Sequence, residues 1–349
     1  MMRRVSILTG AALILTSSIG VRTASAQAAA APGKLQVIKT ITALAVIDYI
    51  TIDPQGRRAY IGRGNAVAVF DIDQGTFVGE VLDVPRAHGV AFAPGGSVGF
   101  ATAGSTNEVV VFDLKTLKVS RRIKAGAKPD AILYEPASKR IYSFNSNGGS
   151  VTIIDPAAPD KVPVTVEIGG KLEGGVSDGA GRVYVNAMDR NDVAVIDTVR
   201  QKTIAHWPVA PGTEPVAIAI DTAHHRLFVG CQNKKLIILS TDDGKVVGEA
   251  PIGGGCDGLV FDAQTGLVFS ANGADGTLTV LREGPAGTFT PVQTLQTAKL
   301  ARTIAMDPKT RNLYLPCAIL GQYELGAFGL LEVGIPPQGA TNPAAAPAK

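Results

Sequence analysis

Residues 182–209 read RVYVNAMDRNDVAVIDTVRQKTIAHWPV, and the fold turns on how this stretch is read. VYVNA alternates about Tyr184, VAVID is a second apolar run ending on Asp197, and TIAHWPV is a third. Turn-forming residues separate the three. Short runs rich in β-branched and aromatic residues, bounded in this way, read as antiparallel strands. The Asp that ends VID suits an Asx turn, in which the side chain accepts a hydrogen bond from the backbone that follows.

The same pattern recurs along the chain. Aromatic residues Tyr60, Phe100, Tyr142, Tyr184, Phe228, Phe269 and Tyr314 fall 40 to 45 residues apart. Asp53, Glu135, Asp221, Asp262 and Asp307 each stand seven residues before one of them, at a hairpin. VFD recurs at 69–71 and 111–113, with IID at 153–155 and VID at 195–197; later copies degrade to ILS, VLR and LLE. Ile47 to Val333 therefore divides into seven units of about 41 residues, the period of a four-stranded propeller blade. We label the strands of a unit a to d. The expected fold is all-β, a seven-bladed β-propeller of four-stranded antiparallel blades over 34–333. The seventh unit stops at its third strand, near Val333, whereas KLQVIKTIT (34–42) has the pattern of a fourth. This N-terminal strand is expected to complete the last blade and protect its open edge.

Composition agrees. Of 349 residues, 46% are hydrophobic and 18% charged, with 40 glycines and no sustained helical stripe. Arg3 and Arg4 precede an apolar stretch broken by Thr and Gly, and Ala24-Ser25-Ala26 has the form of a cleavage site. A signal peptide over 1–26 is expected, cut after Ala26, with a flexible 27–33 and a periplasmic or secreted product. No later segment reads as a membrane span. The Pro- and Ala-rich 334–349 reads as a disordered tail. The formal charge of +3 includes Arg3, Arg4 and Arg22, so the cleaved chain would be near neutral, and nothing in it demands a polyanionic partner. A monomer is expected.

RVYVNAMDRNDVAVIDTVRQKTIAHWPV resembles the YVTN repeat of YncE-like exported seven-bladed propellers, and PDAILYEPASKRIYSFN (129–145) and ARTIAMDPKTRNLYL (301–315) fit it as well. The resemblance covers the chain after the signal peptide. It implies the propeller fold and export; one branch of that family is associated with single-stranded DNA.

Five residues before these hairpin positions, and before their counterparts Ala93 and Asp178 in the second and fourth units, stand Asp48, His88, Asp130, Glu173, Val216, Asp257 and Arg302. Six of the seven are ionisable, and a propeller gathers the starts of its innermost strands at one mouth of the channel. Strand b returns to that mouth, so Arg63, Asn145, Asn186, Cys231, Asn272 and Cys317 are expected in a second ring, with a gap at Ala103. Cys231 and Cys256 would then share one face of adjacent blades and form the first candidate disulfide. Four carboxylates, one arginine and a neutral histidine give the rim about −3, which calls for shared protons, an arginine partner or a cation. Turn-capping alone would explain Asp, but not His, Glu or Arg.

Three functions compete. The first is a module that binds a small molecule or protein through this mouth without chemistry of its own. The second is a metal-dependent hydrolase or lactonase, holding a divalent cation such as Ca2+ with Asp130, Glu173, Asp257 and Asn272, with Asn145 as a further donor and His88 as the base. The third is single-stranded DNA binding on KTLKVSRRIKAGAK (115–128), which has six bases and no acid. That tract lacks interleaved aromatics for base stacking, and basic residues also protect an outer strand edge. GGSVG (95–99) and GGGCDG (253–258) match catalytic or nucleotide-binding strings in letters, but strands rather than helices follow them. Binding through the mouth is the preferred reading.

Overall fold

The structure, a computed structural model, describes residues 33–44, 47–284, 287–318 and 327–335. The signal-peptide expectation and nearly all of the expected tail lie outside the described residues; Gly334 ends a strand rather than beginning the tail.

Seven four-stranded antiparallel sheets form a ring. Their innermost strands are Ile50–Asp53, Ala87–Phe92, Pro129–Glu135, Leu172–Ser177, Pro215–Asp221, Cys256–Asp262 and Ala305–Met306. Each touches the next, and the last touches the first, so the ring is complete at the axis. In the seventh blade Ala327–Gly334 pairs antiparallel with Gln36–Leu44, which takes the outermost place.

The repeat has a physical basis in every blade. The aromatics of strand b are buried between sheets; Tyr60, Phe100, Tyr142, Tyr184, Phe228 and Tyr314 are almost wholly excluded from solvent. A side chain of that size dominates the packing between two sheet faces. The hairpin acids are punctuation. Asp53, Glu135, Asp221, Asp262 and Asp307 each accept the backbone N–H of the residue two further on. Asp113 and Asp197 do the same after strand c.

Arginines tie blades together on the hairpin face. Arg57 of the first blade donates to both carboxylate oxygens of Asp307 in the seventh, at 2.6 and 2.7 Å, and also reaches Asp73. Arg311 makes the equivalent contact to Asp262 in the sixth blade.

Candidate functional site

The innermost strands do not run straight into the mouth. Their pairing with strand b shifts between Ala87 and Val90, Pro129 and Ile132, Leu172 and Gly175, Pro215 and Ala217, and Cys256 and Gly258. His88, Asp130, Glu173, Val216 and Asp257 lie within these irregularities. In a regular strand, side chains stand perpendicular to the sheet and face the neighbouring blade. A bulge breaks that pleat and re-aims a side chain. Here the shifted residues all line the channel mouth.

Hydrogen bonds between blades hold the backbone around these positions. Thr303 Oγ1 donates to the Asp48 carbonyl at 2.8 Å, and Thr102 Oγ1 to the Asp130 carbonyl at 2.6 Å. Gln232 Nε2 donates to the Cys256 carbonyl at 3.1 Å, beside Asp257.

All seven predicted rim positions line one cavity of about 440 Å³. Arg302 Nε stands 2.9 Å from Asp257, and its Nη2 3.5 Å from Asp48. His88 Nδ1 faces Asp48 and lies 3.1 Å from Asp130. Unlike the hairpin acids, the carboxylates of Asp48, Asp130, Glu173 and Asp257 accept no backbone N–H among the described residues. They are not turn caps.

The expected charge of the rim needs correction, because Arg86, Lys128 and Lys171 line the same cavity. Each stands two residues before a rim position. Lys128 Nζ lies 3.4 Å from Asp130, and Lys171 Nζ 2.8 Å from Glu173. Four acids therefore face four bases and His88, and the net negative charge disappears. Arg86 and Lys128 have φ of 56° and 53°, a left-handed conformation costly for side-chain-bearing residues. Their backbone N–H groups are held by the side chains of Asn65 and Asn107, and that of Lys171 by Asp189.

The second ring does not form at this mouth. Asn145 is buried and donates to Ser150 and Thr152; Asn186 donates to the Ala217 carbonyl of the next blade; Asn272 donates to Thr277 and Thr279 and accepts from Ser270. Arg63 pairs with Glu80. None lines the cavity. Strand b is one strand removed from the axis, so its side chains meet neighbouring residues of the sheets instead. Cys231, Cys256 and Cys317 are buried free thiols, so the candidate disulfide is absent. Burial pushes the Cys231 and Cys256 thiols up to about 12.

One residue outside the predicted set dominates the floor. Tyr49 lines the mouth and also a second cavity of about 170 Å³ beneath it. It belongs to the first blade yet packs against the core shared by the third and fourth, so it reaches across the channel. Its counterparts in the other blades are Gly89, Ala131, Gly174, Ala217, Gly258 and Thr303, and all of them line the lower cavity. Burial, then the charges of Asp257, Asp130, Glu173 and Asp48, push the Tyr49 hydroxyl well above its ordinary value. It keeps its proton and can donate it in a hydrogen bond.

Burial also raises Asp130 and Glu173, and lifts Asp257 to about 7 despite Arg302. For Arg302, burial opposes the charged form, but Asp257 and Asp48 outweigh it and hold the guanidinium above its usual range. His88 is only 5% exposed, and its Nε2 is buried without a hydrogen-bond partner among the described residues. A Cβ at Gly104 would stand 2.8 Å from that nitrogen, so glycine permits the approach. With Nδ1 turned to Asp48 and Asp130, neither ring nitrogen is placed to take a proton from a molecule in the cavity.

The basic tract on the second blade is partly committed. Arg121 pairs with Asp160, Arg122 with Glu108 and the Asp83 carbonyl, and Lys128 belongs to the mouth.

No protein-family model and no curated protein matches the chain. Solved structures similar to it include a chain of the Kuenenia stuttgartiensis hydrazine synthase, with 16% identity over 78% of this chain and 92% of that one, TM-score 0.68. A chain of the mitotic checkpoint complex has 12% identity over 95% and 98%, TM-score 0.72. The RRP9 WD40 repeats have 9% identity over 83% and 97%, TM-score 0.66. At these identities the likeness is one of fold, a seven-bladed propeller with WD40-like neighbours.

Proposed function

We propose that this chain is an exported propeller of the YncE-like kind, acting as a binding module whose small ligand seats in the charged mouth. The observation that carries the reading is convergence. Side chains from all seven blades, separated by some forty residues each in sequence, line one cavity of about 440 Å³. That volume lies within the range of small-molecule sites. The carboxylates and bases there are partly desolvated and not used as turn caps, and perturbed ionisable groups gather at functional sites. The N-terminal pattern of Arg3, Arg4 and Ala24-Ser25-Ala26 supports export.

The test is a screen of polar fragments by thermal shift, on the parent and on Glu173→Gln. Fragments that stabilise the parent and lose at least half of that shift in the variant support the mouth. A set of hits whose shifts are the same in both proteins places binding elsewhere.

A divalent cation is the second reading, on one specific observation. Ligand atoms of Asp48, His88 and Asp130 all lie within 4.8 Å of one another. This differs from the expected set, since Asn272 is engaged inside its blade. Lys128 and Arg302 already neutralise the same carboxylates, which favours an organic ligand over a metal. Zn2+- and Ca2+-dependent melting of the parent and of Asp48→Asn separates the two: a metal shift lost in the variant supports the cation.

A further inference from the structure

The mouth is not uniformly charged, and its charges are not equally committed. Three of its bases each have a carboxylate partner: Lys128 with Asp130, Lys171 with Glu173, and Arg302 with Asp257 and Asp48. Arg86 is the exception. Among the described residues its guanidinium has no carboxylate within ion-pair distance. Its backbone is nevertheless held over the mouth in a left-handed conformation by Asn65. An uncommitted guanidinium at the rim of a cavity is a ready partner for a carboxylate or phosphate oxygen.

The opposite feature lies deeper. Asp48, Asp130, Glu173 and Asp257 line the cavity together with Tyr49, and the charges of all four raise the tyrosine hydroxyl. With Arg86 set aside, three committed bases face four acids, and His88 completes the set. Above about pH 7, where Asp257 has given up its proton, the deep side has room for one positive charge, and the aromatic ring of Tyr49 in the same cavity suits an ammonium group. The rim has room for one negative charge. A neutral polyol would answer neither excess, and a plain anion would meet the acids.

We propose that the ligand of this mouth is a small zwitterion of the amino-acid class, its ammonium group among the carboxylates above Tyr49 and its carboxylate on Arg86. The proposal rests on the mouth being the binding site and adds the chemical class of what binds there. Both charges of such a ligand are matched on entering the cavity, which avoids burying either unpaired.

The experiment is isothermal titration at pH 7.5 of the unmodified protein with the L-α-amino acids. Ethylamine, propionate and glucose serve as cation-only, anion-only and uncharged probes. At least one amino acid is expected to bind at least tenfold more tightly than any of the three. Arg86→Gln, at an exposed position, and Glu173→Gln are each expected to weaken that binding about tenfold, and Arg86→Lys to retain part of it. Ethylamine or glucose binding as tightly as every amino acid overturns the assignment, as does an Arg86→Gln protein that binds like the parent. If no amino acid binds while other fragments still depend on Glu173, the ligand class is wrong and the mouth stands. If those fragments also bind Glu173→Gln normally, the mouth itself is wrong.

Discussion

Tyr49 and Asp257 are shared by two cavities, the charged mouth and the smaller chamber beneath it. The tyrosine comes from the first blade and the aspartate from the sixth, so the boundary between the chambers is built across the ring. Below it the wall is mostly glycine, alanine, isoleucine and leucine. Above it stand the charges. The propeller channel is thus a polar cup with a phenol floor.

Replacing that floor has a defined consequence. Tyr49→Ala makes the first blade like the other six, whose residues at this position are small. The ring should still form, with a stability loss of about 1–2 kcal/mol, below the range for a fully buried aromatic because Tyr49 is half-buried. A crystal structure of the variant should show the two cavities merged. A channel still closed at this level would show that another side chain makes the floor.

The rim acids give stability a pH dependence of definite sign. Asp257 keeps its proton in the folded chain up to about pH 7, against about 4 when unfolded. Between those values the folded state binds more protons, so stability falls as pH rises. Burial shifts Asp130 and Glu173 in the same direction. Asp257→Asn should therefore flatten the decline in melting temperature between pH 5 and 8. The expected gain relative to the parent at pH 8 is on the order of 1 kcal/mol, because Arg302 loses a partner at the same time. Parallel pH curves for the two proteins would refute this.

Asp307 acts in the opposite sense. Burial opposes its charge, but Arg57 and the Thr310 hydroxyl outweigh that cost and hold the carboxyl well below its usual range. The resulting stability is present above about pH 4 and lost as pH falls below it. Because the side chain of Asp307 is fully buried against Arg57, Asp307→Ala should cost about 3 kcal/mol at pH 7. The penalty should shrink on acidification. Urea unfolding at pH 7 and pH 3 measures both values, and an equal penalty at the two would remove this latch between blades one and seven from the account.

The strand Gln36–Leu44 covers the outer edge of Ala327–Gly334. Removing residues 34–44 exposes a row of unpaired backbone groups, which invites pairing with another chain. The shortened protein should melt at lower temperature and aggregate with a concentration dependence that the parent lacks. Unchanged melting and a monomeric profile in light scattering would show that the ring does not depend on this strand.

Much of this was legible in sequence because a sevenfold repeat supplies its own alignment. Asp48, His88, Asp130, Glu173, Asp257 and Arg302 fell into one column, and the fold brought that column to one cavity. Tyr49 was equally visible, as the one aromatic beside Gly89, Ala131, Gly174, Ala217, Gly258 and Thr303. Arg86, Lys128 and Lys171 occupy a column two residues upstream. The bulges could not be read, since they are displacements of backbone pairing with no fixed residue signature. Asn145, Asn186 and Asn272 lie inside their blades rather than at the mouth expected for them. Topology brings the end of strand b to the same mouth, but without a bulge a side chain there faces into the sheets.

The central claim is that the mouth binds a ligand, and a crystal structure of the protein soaked with the tightest-binding fragment or amino acid tests it most directly. The account expects electron density above Tyr49, with the ligand within hydrogen-bonding distance of at least two of Arg86, Asp130, Glu173 and Asp257. Ligand density only at other surfaces, with the mouth holding water alone at saturating concentration, would contradict it.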